Sequence, residues 1–237
     1  EEVAHILHAE LGFQDITLSK EAFDGDPTFA EAVGLIRELT AVAERRGVSF
    51  GLKLANTLPV VNHREVFDLE QARMYLSGRP LHAVAVRLAS RLQEELEGRL
   101  AISFAGGADA FSTPALLAAG LAPVTTCSDL LRPGGYLRLR QYLDSITAAM
   151  ELVGADHLDG FILRTAGDWD LSDRNLAERL ARASQHNLSS YSDTVLQDPG
   201  LKGESFDRSH GKGRRPLGLF DCIAAPCTEA CDIGQRV

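Results

Sequence analysis

The stretch GRLAISFAGGADAFSTPALLAAGLAPVTT, residues 98–126, decides the fold class. Gly98 closes an amphipathic run, and Leu100 to Ala105 then forms a continuous apolar segment of strand length that ends on Gly106-Gly107. Thr113 to Ala119 reads as a short helix, and Ala122 to Thr126 as a second strand. Strand, helix and strand within about thirty residues make a crossover unit, the connection that parallel strands need. The same alternation extends outward. Asp15 to Leu18 is a short strand candidate, Pro27 to Arg46 a helix with Asp26 as its cap, and Val48 to Ala55 an apolar strand. Pro80 to Glu97 reads as a helix with proline in its first turn, and Gly134 to Leu152 as another. These about four units place the chain in the α/β class, with a barrel and an open sheet both open at this point; eight-unit closure would be half represented.

Beyond Leu152 the character changes. Asp168 to Gln185 reads as a polar surface helix, and His186 to Arg215 is so rich in Ser, Asp, Gly and Lys that it reads as a linker. The whole chain is 45% hydrophobic and 24% charged, an ordinary globular composition. Its formal net charge of −9 argues against a nucleic-acid surface, because the clearest basic cluster, Lys212 to Arg215, sits in the linker-like stretch. No segment reaches the roughly 20 apolar residues of a membrane span, and the N-terminus lacks the order of a signal peptide, so a cytoplasmic location is expected. The chain begins at Glu1 and ends soon after a cysteine cluster, and it reads as a fragment.

Several short segments can carry chemistry. Gly106-Gly107 follows a strand directly, where bare backbone lets amide groups approach a phosphate; plain turn geometry is the alternative. The next strand ends in Thr125-Thr126, and barrel phosphate sites are built from neighbouring loops of this kind. Ser77-Gly78 opens the helix near Pro80, as an anion site or as a simple cap. Lys53 lies in the apolar run Phe50 to Ala55, where a buried charge costs several kcal/mol unless it meets a ligand or a carboxylate. Asn56 follows as a second polar group or a turn residue. Cys222, Cys227 and Cys231 let three thiolates converge on one centre, an iron–sulfur cluster or zinc. Cys127 reads as a small buried apolar residue. His63, His82, His157 and His210 share no spacing, Trp169 and Tyr191 read as packing or surface residues, and no catalytic residue stands out.

The runs FGLKLANTLPV, MYLSGRPLHAVAVRLASRL, ISFAGGADAF and PVTTCSDLLRPGGY resemble the selenate reductase subunit family, whose barrel is similar to dihydroorotate and dihydropyrimidine dehydrogenases. The terminal LFDCIAAPCTEACDIGQ resembles the cysteine segment that, in this family and in the small subunit of glutamate synthase, opens an iron–sulfur domain preceding FAD and NAD(P)H domains. The resemblance implies the C-terminal part of a (β/α)8 TIM-type barrel over residues 1–152, a helical extension over 153–188, a polar linker over 189–215 and the start of the iron–sulfur domain over 216–237. It implies FMN held by Lys53, Asn56, Ser77, Gly78, Gly106, Gly107, Thr125 and Thr126, and a 4Fe–4S cluster on Cys222, Cys227 and Cys231. FAD and NAD(P)H would bind in downstream domains that, with other redox subunits and a small-molecule substrate, are the expected partners. The interval from Asn56 to Ser77 is too short for the extra strand and loop of the dehydrogenases. The implied activity is an oxidoreductase that passes electrons between NAD(P)H/FAD, iron–sulfur clusters and a barrel site, inactive as this isolated piece. Two alternatives are a flavin-free barrel acting as a scaffold or docking domain, and a phosphate-binding barrel enzyme with a zinc-binding tail.

Overall fold

The structure, a computed structural model, describes residues 2–14, 16–62, 72–131, 134–168, 175–198 and 201. The chain enters through α1 (Glu2–His5), which continues as one π-helical segment, Ile6–Glu10, and buries Ile6 and Leu7. Helix α2 (Phe29–Arg46) starts two residues later than the Pro27 reading. Its cap is Thr28, not Asp26: the Thr28 hydroxyl accepts from the Glu31 amide while the Glu31 carboxylate accepts from the Thr28 amide. That reciprocal pair satisfies two otherwise orphaned amides, which a lone aspartate two residues upstream does not.

Strand β1 (Gly51–Leu54) pairs in parallel with β4 (Ala101–Phe104), in the register Lys53 opposite Ser103. Between them lie β2 (Leu58–Val61), β3 (Arg73–Leu76) and α3 (Gly78–Glu95). β2 and β3 pair antiparallel, so the interval from Asn56 to Ser77, expected to be too short for an extra strand, holds two, because four residues suffice for each. Asp15 of the Asp15–Leu18 candidate lies outside the described residues, and residues 16–18 contribute one antiparallel bridge, Leu18 to Val60, rather than a parallel strand. Past β4, α4 (Thr113–Ala118) follows as expected. The run at Ala122–Thr126 lies beside β4, but only Val124 bridges to Phe104. The Ala122 amide donates to the Ile102 carbonyl and the Thr125 amide to the Phe104 carbonyl; Pro123 between them has no amide to donate, which keeps the segment short. β1, β4 and Val124 therefore form three adjacent parallel positions, and the chain is α/β with part of a barrel.

The apolar reading of residues 48–55 predicts a strand buried on both faces. Instead Gly51 and Lys53 are exposed and Leu52 and Leu54 half-buried. Helix α3 takes the central place. Leu81, Ala83, Val84, Ala85, Val86, Ala89 and Leu92 are all buried, so residues 81–86 are enclosed on every side, while Arg87, Arg91 and Glu94 give the rest of the helix a polar face.

Helix α5 (Arg138–Leu152) follows a single 3-10 turn, Gly135–Leu137, and α6 (Leu158–Thr165) comes next. The largest departure from the sequence reading is α7 (Leu176–Gln197). A surface helix ending at Gln185 and a linker from His186, placed at 189–215 in the domain division, predict solvent on both sides of residue 188. The helix runs on through Gln197 and packs along α3, with Leu188 and Val195 fully buried. The reason is spacing: Ala183, Asn187-Leu188, Tyr191-Ser192 and Val195 recur every three or four residues. Ala183 and Asn187 meet α6, with Asn187 donating to the Ala118 and Ile162 carbonyls, while Leu188 and Val195 join the core with α3 and Ser192 accepts a 2.8 Å bond from Arg87. Arg87 also pairs with Glu10 at 2.7 Å, and Arg91 pairs with both Glu2 and Glu10, so α3 ties the N-terminal segment to the last helix.

Candidate functional site

Parallel sheets carry their ligand sites at the C-terminal ends of the strands. Here three such ends are adjacent: Leu54 of β1, Phe104 of β4 and Val124. They are joined by bonds from the Ala105 amide to the Leu54 carbonyl and from the Phe104 amide to the Pro123 carbonyl. Asn56, Gly106-Gly107 and Thr125-Thr126 follow these ends, and Lys53 lies one residue before the first. The structure therefore gathers six of the eight expected flavin residues on one sheet edge. The other two, Ser77 and Gly78, join through a direct contact. A Cβ on Gly107 would lie 2.1 Å from the Gly78 carbonyl oxygen, and Gly107 has φ +62°, so the two loops can touch only with glycine there.

Gly106 is also constrained, since a Cβ on it would meet the Ala85 Cβ at 2.7 Å. Among the described residues, the amides of Gly106 and Gly107 meet no acceptor. Ser77 stands in extended conformation at the head of α3, and its hydroxyl makes no capping bond, so the simple-cap reading does not describe it. Loop amides, an uncommitted hydroxyl and the positive end of an 18-residue helix suit a phosphate, which accepts hydrogen bonds through every oxygen.

Lys53 departs from its expectation. It is exposed, and its Nζ lies 3.5 Å from Asn56 Oδ1, so no burial cost demands a partner. Thr125 is exposed and donates its amide to the Phe104 carbonyl at 2.7 Å. Thr126 is already engaged. Its hydroxyl lies 3.1 Å from the Ala108 carbonyl and 2.9 Å from the Tyr142 hydroxyl, which in turn donates to Asp129 Oδ2 at 2.9 Å. A carboxylate only accepts, so Tyr142 gives its proton to Asp129, and the single Thr126 proton is shared between the Tyr142 oxygen and the Ala108 carbonyl. Burial pushes the Tyr142 phenol well above its ordinary range, the Thr126 bond works against that, and the Asp129 charge adds to it; Tyr142 stays protonated. Asp129 is in turn held by Arg138 through Nη2 at 2.9 Å and Nε at 3.2 Å, both side chains being buried. This network fixes the turn after Val124 from behind.

One functional candidate escaped the sequence reading. His82, 2% exposed on α3, lies with Nδ1 2.8 Å from the Gly106 carbonyl and Nε2 2.8 Å from the Tyr191 hydroxyl on α7. Its ring also packs edge-on against Phe104. The available signal was local: His82 shares a helix face with Ala85, Val86 and Ala89, all buried. Cys127, expected to be buried, is exposed. Cys222, Cys227, Cys231, His63, His210 and Trp169 lie outside the described residues. Among the described residues, no group of His, Cys, Asp and Glu is arranged to hold a metal ion, and no helix is long and apolar enough to cross a membrane. A polar cavity of about 290 Å³ between α3 and α7, lined by Ser90, Glu94, Arg182, Gln185, His186 and Ser189, lies about 18 Å along α3 from Gly78 and is separate from the strand ends.

The family profile described as "Oxidoreductase YgfK, N-terminal TIM-barrel domain" matches residues 1–178. The chain belongs to this family. Two curated proteins, each named "Putative oxidoreductase YgfK" and coming from Escherichia coli strain K12 and from E. coli O157:H7, are 31% identical over 226 residues. The match covers 95% of this chain and 19% of each relative, so the chain spans about a fifth of their length. No solved structure matches the chain. The family is one of oxidoreductases with a TIM-barrel domain, in agreement with the parallel strand ends. The profile ends three residues into α7, although the rest of that helix reaches the Gly106 loop through Tyr191 and His82.

Proposed function

We propose that this chain forms the flavin-phosphate side of a barrel in a multi-domain oxidoreductase of the selenate reductase subunit type, which passes electrons between NAD(P)H/FAD, iron–sulfur clusters and the barrel site. The observation that carries the reading is the contact between Gly107 and Gly78, which joins the loop after β4 to the head of α3 at the C-terminal edge of the parallel strands. Gly106, Gly107, Ser77 and Gly78 would hold the FMN phosphate, with Thr125 at the next strand end. Lys53 and Asn56, exposed at the end of β1, would face the flavin ring. Bound FMN would supply the exchange between one- and two-electron steps. The chain's own part is to supply amide donors, a lysine charge and a fixed turn. Cys222, Cys227 and Cys231 are proposed as three ligands of a 4Fe–4S cluster, on their spacing alone, with a fourth thiolate from another segment.

Anaerobic purification of the full-length protein tests both parts. Stoichiometric FMN is expected, and Gly107→Ala should abolish it, because the new methyl would overlap the Gly78 carbonyl. A wild-type protein that carries no flavin and takes up no added FMN would refute the flavin site and favour a docking barrel. The exposed Tyr136, Leu137 and Leu143 at the start of α5 suit that second reading. Iron with acid-labile sulfide supports the cluster; zinc without sulfide would sink it.

A further inference from the structure

We propose that His82, braced by Tyr191, is a positioning residue for the Gly106-Gly107 loop and so sets the affinity for the phosphate of the flavin nucleotide; the inference rests on the cofactor reading above. The chemistry of the contact is directional. A carbonyl oxygen only accepts, so the 2.8 Å bond to the Gly106 carbonyl requires the proton on His82 Nδ1. In the neutral ring Nε2 is then an acceptor, and the Tyr191 hydroxyl must donate to it. Tyrosine can fill that role and phenylalanine cannot, so α7 selects the tautomer that grips the loop.

The grip acts on a phosphate-facing group through peptide geometry. The Gly106–Gly107 bond is trans, so the Gly106 carbonyl and the Gly107 amide point in opposite directions. Holding the oxygen against buried His82 therefore turns the Gly107 N–H away from the imidazole, at a residue that is itself half-exposed. Without the imidazole, two glycines in succession leave this peptide plane free to rotate. His82 sits one turn into α3 and its ring is wedged between Phe104 and Tyr191, so it is rigidly mounted for this task.

The test compares FMN with riboflavin, which lacks the phosphate, in titrations of the flavin-stripped full-length protein. Wild type should prefer FMN strongly. His82→Leu should shrink the FMN-to-riboflavin preference about tenfold or more, the effect of stranding one buried hydrogen-bonding group. Tyr191→Phe should shrink it several-fold. His82→Asn places an amide N–H near the Nδ1 position and should keep the preference close to wild type. If wild type shows no preference for FMN, the cofactor reading itself fails. If wild type prefers FMN but His82→Leu keeps the same ratio, or loses both ligands equally, the positioning role is overturned while the site stands. Should His82→Leu not fold, Tyr191→Phe decides alone: a wild-type ratio there overturns the proposal.

Discussion

Replacing Asp129 by Asn removes one charge from a pair that the fold has taken out of water. Arg138 is 1% exposed and Asp129 6% exposed, and the guanidinium reaches both carboxylate oxygens. Breaking such a pair costs about 3–5 kcal/mol, most of it the penalty of a buried cation that has lost its counter-charge. Arg138 keeps other bonds, so the lower end, about 3 kcal/mol, is expected. For a domain of this size that corresponds to a fall in Tm of about 6–12 °C. The damage should reach the site, because Asp129 also anchors Tyr142, and Tyr142 with Thr126 holds the turn after Val124. Thermal unfolding followed by circular dichroism measures the first effect. Hydrogen exchange at the Thr125 amide, bonded to Phe104 in the native fold, measures the second and should accelerate. The double variant Asp129→Leu with Arg138→Met leaves no buried charge and should recover much of the loss. A Tm within one or two degrees of wild type for Asp129→Asn would refute the burial argument about this pair.

Two further predictions address the fold and its pH dependence. Leu188→Ala should destabilise the chain by about 2–5 kcal/mol, since Leu188 is fully buried beneath α7, whereas a linker residue at this position would show no change in thermal unfolding. Hydrogen bonds from Thr28, backbone first and hydroxyl second, hold the Glu31 carboxyl below its usual value of 4.5. A depressed carboxylate stabilises above its unfolded value and loses that contribution as pH falls through the folded one. Glu31→Gln should therefore flatten the decline in α2 stability below about pH 4.5, and an unchanged acid profile would count against the capping box.

How far the sequence reaches can be judged residue by residue. β4 and the glycine pair after it were legible because both signals are local: an apolar run of strand length, then two residues without side chains. The capping box of α2 was equally local, and Thr28-x-x-Glu31 carries it in four residues, yet Asp26 drew the reading instead. Helix α7 was obscured by composition. Its Ser, Asn and Asp content suggested a linker, while the three-or-four-residue recurrence of Ala183, Asn187-Leu188, Tyr191-Ser192 and Val195 signalled a buried face. The antiparallel β2–β3 pair was hidden in short segments whose pairing depends on each other rather than on their own patterns.

By itself, then, the sequence determined the α/β class, the order of strand and helix through residues 98–126, and the short list of glycines and hydroxyls able to approach a phosphate. Periodicity and the absence of a Cβ are properties of neighbours along the chain, and they survive whatever the rest of the fold does. Tertiary structure alone decided which of those residues meet. Gly107 touches Gly78 only because α3 returns beside β4, and Lys53 is exposed only because nothing described packs over it. His82 grips the Gly106 loop with the help of Tyr191, 109 residues further along, because α7 lies against α3. Contacts of that span cost chain entropy to form and are set by the packing of whole helices, which no local pattern of residues encodes.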